Sequence, residues 1–494
     1  MYCQLEALRH CLPSSVRGIL NELPETLDET YGRVLRDINK ANREHAHRLL
    51  RCLTVAIRPL RVEELAEVLA VDFDAAHQGG IPELNPDWRL ANQHQAVLST
   101  CSSLIAIVDN GYSQVVQFSH FSVKEFLTSD RLARSSEDVS RYHILLEPAH
   151  TLLAQACLGV LLRLDNRVNE DNAKDIPLAG YAARYWVDHA QFENVSSRIR
   201  ESMEFFFDAD KPHWAAWIRV HNIDKYWDWF SPNDDVNEAF PLYYAALCGF
   251  YDLVEHLIGK YPEHINARGG HLVAPLVAAL YGKYFEAAEL LLRHGADVDV
   301  RGILDNTPLT TACTTGPFDT VRWLLDHGAD ANEYGKRHFT SLHFAAFNGH
   351  PKSAWALLEH GADISARNEH GELPLHLTAC PVDKDSGDNL AVMQLLLDNG
   401  ADANARDNAG STPLHHSSCR SYGMDRLYGT VEGSYLLLKH GADIDSKDDG
   451  GRTPLQLALA HGRNEMARFL SRSMVPRDQI KHLWVSLRIH PTGT

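Results

Sequence analysis

The chain has 494 residues and a formal net charge of −18 at pH 7. This length allows two to four domains with sizeable cores. The negative net charge argues against sequence-independent binding to nucleic acid phosphates. The nine cysteines include no C-x-x-C pair, which is typical of a reducing compartment. The sequence begins without the apolar core of a secretory signal and contains no apolar run of membrane-spanning length. We therefore expect an intracellular protein, in the cytoplasm or the nucleus, that makes no membrane contact.

Apolar residues at three- and four-residue steps predict helices over residues 14–60, and a further short helix is expected to begin near Val62. The β-prone runs 104–108 and 115–118 then flank the turn sequence Asp109-Asn110-Gly111. Helices followed by a small hairpin indicate a winged helix.

Several N-terminal motifs resemble a known family. LPETLDETYGRVL from Leu23, RPLRVEELAEVLAV from Arg58 and QFSHFSVKEFLTS from Gln117 are similar to the segment after the nucleotide-binding core of fungal NACHT and ankyrin-repeat proteins. AHTLLAQACLGVL from Ala149 and IPLAGYAARYWVDHA from Ile176 resemble the helical linker of the same proteins. The resemblance implies a helical region and a winged helix that lead, through a linker, into a repeat array.

The chain departs from this family in one important respect. A NACHT NTPase needs a glycine-rich loop that ends in Gly-Lys-Ser/Thr to hold phosphates, whereas Gly335-Lys336 is followed here by Arg337. Met1 also falls where such proteins would still be continuing from their NTPase domain, which predicts either a truncated product or a form that works without ATP. We expect no nucleotide binding by this chain alone.

The winged helix raises the question of DNA binding. Its candidate recognition segment, residues 63–71, carries Glu63, Glu64 and Glu67 and no basic residue after Arg61. Negative charge is unfavourable in a DNA groove. We therefore expect this domain to pack internally and to bind no nucleic acid.

Residues 151–236 contain five of the nine tryptophans: Trp186, Trp214, Trp217, Trp227 and Trp229. One interpretation is a ligand pocket or an aromatic cage for a cation. The other is a helical core and cap that shields the first repeat from water. Aromatic residues at helical spacing usually form a core because each buries a large area, so the cap is favoured.

A repeat organises the C-terminal half. TPLTTACTTGPFDTVRWLLDHGAD, from Thr307 to Asp330, has close copies of equal length over 274–297 and 340–363. The first helical position of each copy is occupied by the following residues: Pro241, Pro275, Pro308, Ser341, Pro374, Pro413 and Pro454. A period of about 33 residues with T-P-L-H-x-A is typical of ankyrin repeats, and about seven of them are predicted.

The repeat residues have structural explanations. Thr307 can cap a helix that Pro308 opens, and Gly328 can end the second helix in the left-handed conformation. Helices this short need stacked neighbours to bury their apolar faces. The histidines recur one repeat apart, either in T-P-L-H (His343, His376, His415) or before the Gly-Ala-Asp ends (His294, His327, His360, His440). A histidine near a helix C-terminus suits the carbonyls and the dipole there.

No catalytic or metal motif stands out. His415, His416 and Cys419 offer zinc-binding atoms, but a fourth ligand is not indicated, so no metal and no cofactor are expected. Nucleophile-elbow, zinc-protease and dinucleotide-loop motifs are missing from the sequence. We expect a protein that is not an enzyme, although an unrecognised active site in the linker is an alternative.

Partner recognition should use exposed residues that vary between repeats, because the recurring ones are committed to packing. On the hairpin tips these are Arg301, Tyr334, Lys336, Arg337, His338, Glu369 and His370. On the concave helical face they are Tyr281, Thr314, Phe347 and Asn348. Exposed tyrosine, phenylalanine and arginine often anchor protein interfaces.

The sequence thus predicts a mostly α-helical protein, an ankyrin-repeat solenoid preceded by a helical and winged-helix region with a small β-hairpin. The predicted domains are a helical segment (1–60), a winged-helix-like domain (61–148), a helical linker or cap (149–236), the ankyrin repeats (237–472) and a tail (473–494). The function expected is non-catalytic binding of other proteins, as a scaffold or as the sensor part of a NACHT-type receptor. The alternative is a nuclear co-regulator whose array binds transcription factors.

Overall fold

The structure is a computed structural model. It describes residues 26–73, 81–89, 92–111, 113–164, 176–223, 239–270, 272–302, 305–315, 317–379, 388–419 and 430–473. The predictions for residues 1–25, for Trp227 and Trp229, and for the tail after Ser473 lie outside these ranges. The chain divides into two compact units, which are Met1–His271 with Tyr284–His294, and Leu272–Lys283 with Gly295–Thr494.

The first unit begins with helices and short strands, as the sequence predicts. The helices are α1 (Leu27–Asp37), α2 (Arg43–Val55), α3 (Val62–Val68), α4 (Gln93–Cys101), α5 (Phe121–Leu127), α6 (Asp130–Ala133) and α7 (Glu137–Ser140). The strands are β1 (Leu60–Arg61), β2 (Val71–Asp72), β3 (Glu83–Leu84), β4 (Ile105–Asp109) and β5 (Gln114–Phe118). Thr26 caps α1 by accepting the N–H of Glu29 at 3.2 Å, which satisfies one of the unpaired donors of the first turn.

The predicted hairpin is the centre of a small antiparallel sheet with strand order β1-β5-β4. Ile107 lies opposite Val116 on one side, and Leu60 lies opposite Val116 on the other. Leu60, Leu65 of α3 and Val116 are buried, so apolar burial fixes the register of the sheet. A second pair, β2 and β3, is also antiparallel.

Longer helices follow in the same unit: α8 (Leu146–Leu161), α9 (Ala179–Ala190), α10 (Val195–Arg198), α11 (Arg200–Phe206) and α12 (His213–Val220). Trp186 and Trp217 are fully buried, with ring centroids 5.4 Å apart. Each ring also contacts the first repeat, because Phe250 lies 5.5 Å from Trp186 and Tyr244 lies 6.2 Å from Trp217. Trp186 and Trp217 thus belong to a buried aromatic cluster that includes residues of the first repeat.

Seven pairs of helices follow along the described part of the chain, with the predicted period. They are α13 (Pro241–Leu247), α14 (Tyr251–Lys260), α15 (Pro275–Tyr281), α16 (Phe285–Arg293), α17 (Pro308–Thr315), α18 (Phe318–Asp326), α19 (Ser341–Phe347), α20 (Pro351–Glu359), α21 (Pro374–Thr378), α22 (Asp388–Asp398), α23 (Pro413–Ser418), α24 (Val431–Lys439), α25 (Pro454–Ala460) and α26 (Asn464–Ser473). Helices α13, α14 and α16 belong to the first unit, and the remaining repeat helices belong to the second.

The local signals of the repeat act as expected. Thr307 accepts the N–H of Thr310 at 3.2 Å, and Thr453 accepts the N–H of Gln456 at 3.3 Å. Gly328, which follows α18, has a φ of +88°, a conformation that favours glycine because it carries no Cβ.

In the second unit the repeats stack on one another. Contacts run along the first helices (α17, α19, α21, α23, α25) and along the second helices (α18, α20, α22, α24, α26). Ala312, Cys313, Ala345 and Ala346 are buried between the first helices, where small side chains allow close approach. None of the helices in the described ranges combines the length and the apolar character that a membrane span requires.

Candidate protein-interaction surface

The loops between repeats in the second unit form closed hairpin tips. In each tip a backbone N–H donates to a carbonyl four residues later: Gly302 to Asn306 (2.8 Å), Gly335 to Phe339 (2.8 Å), Asn368 to Glu372 (3.1 Å), Asp407 to Ser411 (2.9 Å) and Asp448 to Arg452 (3.0 Å). The tips therefore share one backbone frame, on which individual side chains differ.

Neighbouring tips are joined by backbone hydrogen bonds. The N–H of Glu369 donates to the carbonyl of Arg337 at 3.0 Å, and the N–H of Asn408 donates to that of His370 at 2.9 Å. A third bond links Asp449 to Ala409 at 3.1 Å. These bonds hold four consecutive tips in a fixed order, so their exposed side chains form one surface. We call this the tip surface, and it includes the predicted residues Lys336, Arg337, His338, Glu369 and His370, with Tyr334 directly beside it.

An arginine ladder runs beside the tips. Arg367 donates to the carbonyl of Arg406 at 2.7 Å, and Arg406 donates to that of Lys447 at 2.8 Å. Arg301, a predicted partner-binding residue, has the same role, because its guanidinium donates to the carbonyl of Tyr334 at 2.8 Å. Its side chain is 30% exposed and also pairs with Asp305 and Glu333. The structure thus shows Arg301 engaged within the array.

Tyr334 occupies the ladder position of its own tip, where the neighbouring repeats carry arginine or lysine. It is 47% exposed. The guanidinium of Arg301 lies 5.3 Å from its ring centroid, and the ring of His338 meets it edge-on at 4.9 Å. An aromatic side chain that is held by its neighbours and still exposed loses little conformational entropy on binding, which suits an interface anchor.

The tip at residues 336–338 has an unusual backbone. Arg337 and His338 have φ values of +59° and +58°. At the position of His338 the following tips carry Gly371 and Gly410, with φ values of +73° and +71°. Two successive non-glycine residues in the left-handed region are strained, and strain of this kind is frequent at functional sites.

Other predicted tip residues are accessible as well. Lys336, Arg337, His338, Glu369 and His370 are all exposed. Lys336 and Arg337 are adjacent cations in a chain whose net charge is −18. This end of the tip surface is therefore a local basic feature of an acidic protein.

The predicted residues on the first helices differ in accessibility. Tyr281, at the end of α15, is 50% exposed. Thr314, Phe347 and Asn348 are half-buried, and Asn348 donates from its side chain to the carbonyl of Phe344 at 3.0 Å. Asn348 therefore contributes to the end of α19, and Tyr281 offers more surface than the others.

The histidines of T-P-L-H connect repeats. Nδ1 of His343 accepts the N–H of Thr340 at 3.2 Å, and its Nε2 donates to the carbonyl of Glu372 in the next repeat at 3.0 Å. His415 makes the matching bond to Arg452 at 3.0 Å. Burial lowers the pKa of His343 to about 4, so the ring is neutral at pH 7. This role differs from the predicted helix C-terminal role, which His327 and His360 do fulfil by bonding the carbonyls of Trp323 and Ala356 at 2.7 and 2.9 Å.

In the winged-helix region, the acidic residues of α3 are structural. Glu64 is buried and accepts hydrogen bonds from Arg58 at 2.7 Å and Arg61 at 2.9 Å. Glu67 is buried and pairs with Arg89. These arginines are thus used inside the first unit, in agreement with the expectation that α3 packs internally.

Sequence reasoning missed two features. Trp355 on α20 is 45% exposed at a position where the neighbouring repeats carry Arg322 and Gln394, a difference that aligned repeats reveal. The second feature is a group formed by Glu372, Asp407 and His416, whose members are distant in sequence. Of the candidate zinc ligands His415, His416 and Cys419, His415 bonds to the carbonyl of Arg452, and the Cys419 thiol donates to the carbonyl of His416 at 3.6 Å.

Comparison with known families agrees with this geometry. The family model "Ankyrin repeats (3 copies)" matches residues 276–368 and 375–478. The chain carries ankyrin repeats. The model "GPI inositol-deacylase, winged helix domain" matches residues 35–138, which include the β1-β5-β4 sheet. That match concerns the winged helix, a type associated with NACHT proteins, and it covers no deacylase domain.

One curated relative adds a biological setting. The chain is 31% identical over 280 residues to "Azaphilone pigments biosynthesis cluster protein L" of Monascus ruber. The similarity covers 53% of this chain and 57% of the relative. The ankyrin-repeat chain therefore spans little more than half the length of that fungal protein.

Proposed function

We propose that this protein is a non-catalytic scaffold that binds another protein through the tip surface. The observation that carries the proposal is the strained tip at Arg337 and His338, which displays basic side chains beside the exposed ring of Tyr334. Strain persists when the surrounding structure enforces it, and here the next tip holds the carbonyl of Arg337. We infer that the partner offers an acidic segment, because opposite charge aids encounter and selects among partners.

The scaffold belongs, in our proposal, to a NACHT-type architecture whose sensor end is this array. The winged-helix match and the fungal relative support this assignment. The name of the relative places that protein in a pigment biosynthesis cluster, and we propose that this chain acts in a similar setting. A nuclear co-regulator would act in the same setting, and the location of a fluorescently tagged chain distinguishes it from a cytoplasmic sensor.

Chemical cross-linking in cells, followed by mass spectrometry, tests the tip surface. The test variant is Tyr334→Ala with Arg337→Ala, and the matched control is Lys352→Ala, an exposed cation on α20. We expect the test variant to lose partners that the control retains. When those partners are titrated in vitro, their binding to the wild type should weaken as the salt concentration rises. Partners that bind the test variant and the wild type equally, at any salt concentration, would refute the proposed site.

A nucleotide titration tests the NACHT-type part of the proposal. Isothermal titration of the purified chain with ATP and Mg²⁺ should show no binding, because the sequence has no phosphate loop. Tight ATP binding would contradict the proposed division of labour between this chain and an NTPase module.

A further inference from the structure

Three side chains of types that bind metal ions meet between two consecutive repeats of the second unit. Glu372 lies in the tip before α21, Asp407 lies in the tip before α23, and His416 lies on α23 itself. One donor atom from each can be chosen so that all three lie within 4.8 Å of one another. Nε2 of His416 lies 2.8 Å from Oδ2 of Asp407, and its Nδ1 lies 3.9 Å from Oε1 of Glu372.

The group is specific to this place in the array. The position of His416 holds Leu377 in the preceding repeat and Leu457 in the following one. The position of Glu372 holds Ser411 in the next repeat. The neighbouring repeats therefore carry an apolar residue at the position of His416. The histidine occurs in the repeat where two carboxylates lie close to that position. The fold alone does not require this combination.

The two carboxylates are only partly used by the fold. Oδ1 of Asp407 accepts the N–H groups of Ala409 and Ser411 at 2.9 and 2.8 Å, which closes the tip and leaves Oδ2 directed at His416. Oε2 of Glu372 accepts the side-chain amide of Asn368 at 2.7 Å, and Oε1 faces the imidazole. One oxygen of each carboxylate thus lies beside the same imidazole ring, near Nε2 for Asp407 and near Nδ1 for Glu372, and a shared ion requires both oxygens to approach one of these nitrogens.

Partial burial strengthens the repulsion between the two carboxylates. The side chains of Glu372, Asp407 and His416 are 18%, 9% and 18% exposed. Two carboxylates in such a position repel each other more strongly than in open solvent, because screening by water is weaker. A cation bound between them relieves this repulsion.

We propose that Glu372, Asp407 and His416 bind a divalent transition-metal ion, with zinc as the first ion to test. Two carboxylate oxygens and one imidazole nitrogen suit zinc, manganese or iron, whereas calcium and magnesium prefer oxygen ligands alone. Water fills the remaining coordination positions. The ion would clamp two consecutive repeats, since its ligands come from both.

Zinc titration of the metal-free full-length chain tests the proposal, with three variants. His416→Leu introduces the residue found at the matched positions of the neighbouring repeats. Asp407→Asn introduces asparagine, which occupies the matched position of the preceding tip as Asn368. Its side-chain oxygen can still accept the hydrogen bonds that close the tip. His294→Ala removes an exposed histidine elsewhere and serves as the control. Calorimetry gives the number of sites and the affinity, and circular dichroism with chelator present confirms that each variant folds.

We expect wild type and His294→Ala to bind one zinc ion with the same affinity. His416→Leu and Asp407→Asn should lose that site or weaken it by at least about tenfold, the lower end of what even indirect metal contacts contribute. Zinc should also raise the thermal midpoint of wild type and leave that of His416→Leu unchanged. If wild type binds no zinc, or if His416→Leu binds as many ions with the same affinity, the site does not exist and the group is a hydrogen-bonded histidine only.

Discussion

Replacing His338 with glycine in one variant and with alanine in another tests the strain in the tip before α19. A non-glycine residue in the left-handed region is destabilised by about 1–2 kcal/mol, whereas glycine adopts this region freely but is more flexible in the unfolded chain. Both substitutions remove the ring contact with Tyr334, so this loss cancels between them. We expect the glycine variant to be more stable than the alanine variant by about 1 kcal/mol.

Hydrogen–deuterium exchange over residues 333–345 of the intact chain measures this difference locally. Slower exchange is expected for the glycine variant than for the alanine variant. The control is Gly410→Ala at the matched position, where φ is +71° and an added Cβ would lie 2.3 Å from Oδ1 of Asp449. This change should destabilise its tip by about 1 kcal/mol or more, because it adds both backbone strain and a steric clash. If His338→Ala protects the tip as well as His338→Gly, the backbone there is not strained.

Three further predictions concern the first unit. Trp217→Ala should destabilise the first unit by about 3–5 kcal/mol, because a buried aromatic ring is lost. Trp217→Phe should destabilise it less, because it loses mainly the 2.7 Å hydrogen bond to the carbonyl of Ala183. Urea denaturation of both variants measures the difference. Glu64→Gln should lower the unfolding free energy by about 1–3 kcal/mol, because its hydrogen bonds to Arg58 and Arg61 become weaker. Adding salt to the wild type should not lower its unfolding free energy by the same amount, because Glu64 is buried. Burial lowers the pKa of His189 to about 3, with His150 and Tyr181 at 2.9 Å from its ring nitrogens. Below pH 6.5 the imidazole is protonated in the unfolded state but stays neutral in the folded state. Acidification to pH 5 should therefore lower the free energy of unfolding by about 2 kcal/mol. His189→Gln should abolish that part of the loss, and an equal loss in this variant would show that other groups are responsible.

The repeat helices were predictable because each recurring residue has a local task. Thr307 caps a helix, Pro308 occupies its first position, and Gly328 ends the next helix; each of these tasks depends on backbone geometry a few residues away. The hairpin of β4 and β5 was predictable for the same reason, since a turn sequence lies between two β-prone runs.

Contacts across repeats were harder to predict. The sequence identified Arg301 as a variable exposed residue, but its guanidinium bonds to the tip of the next repeat, a contact that depends on the stacking register. Glu372 and His416 are separated by a whole repeat, so their approach is visible only in three dimensions. The left-handed backbone at His338 could have been inferred from the aligned glycines at 371 and 410, because the frame of the tip is shared.

The way in which the tips are joined leaves most of their side chains free to vary without loss of the order of the tips. The bonds from Glu369 to Arg337 and from Asn408 to His370 use backbone atoms, so the side chains of Glu369, Arg337 and His370 can vary while the order of the tips is retained. The ladder position is different, because there a side chain supplies the connection between repeats. At Tyr334 an exposed aromatic ring stands in place of the arginine, while Arg301 makes the usual ladder bond to the carbonyl of Tyr334 and lies against its ring. In the proposed function, an exposed ring at Tyr334 takes the place of a side-chain bond to the next tip, so this position is the most informative one to mutate.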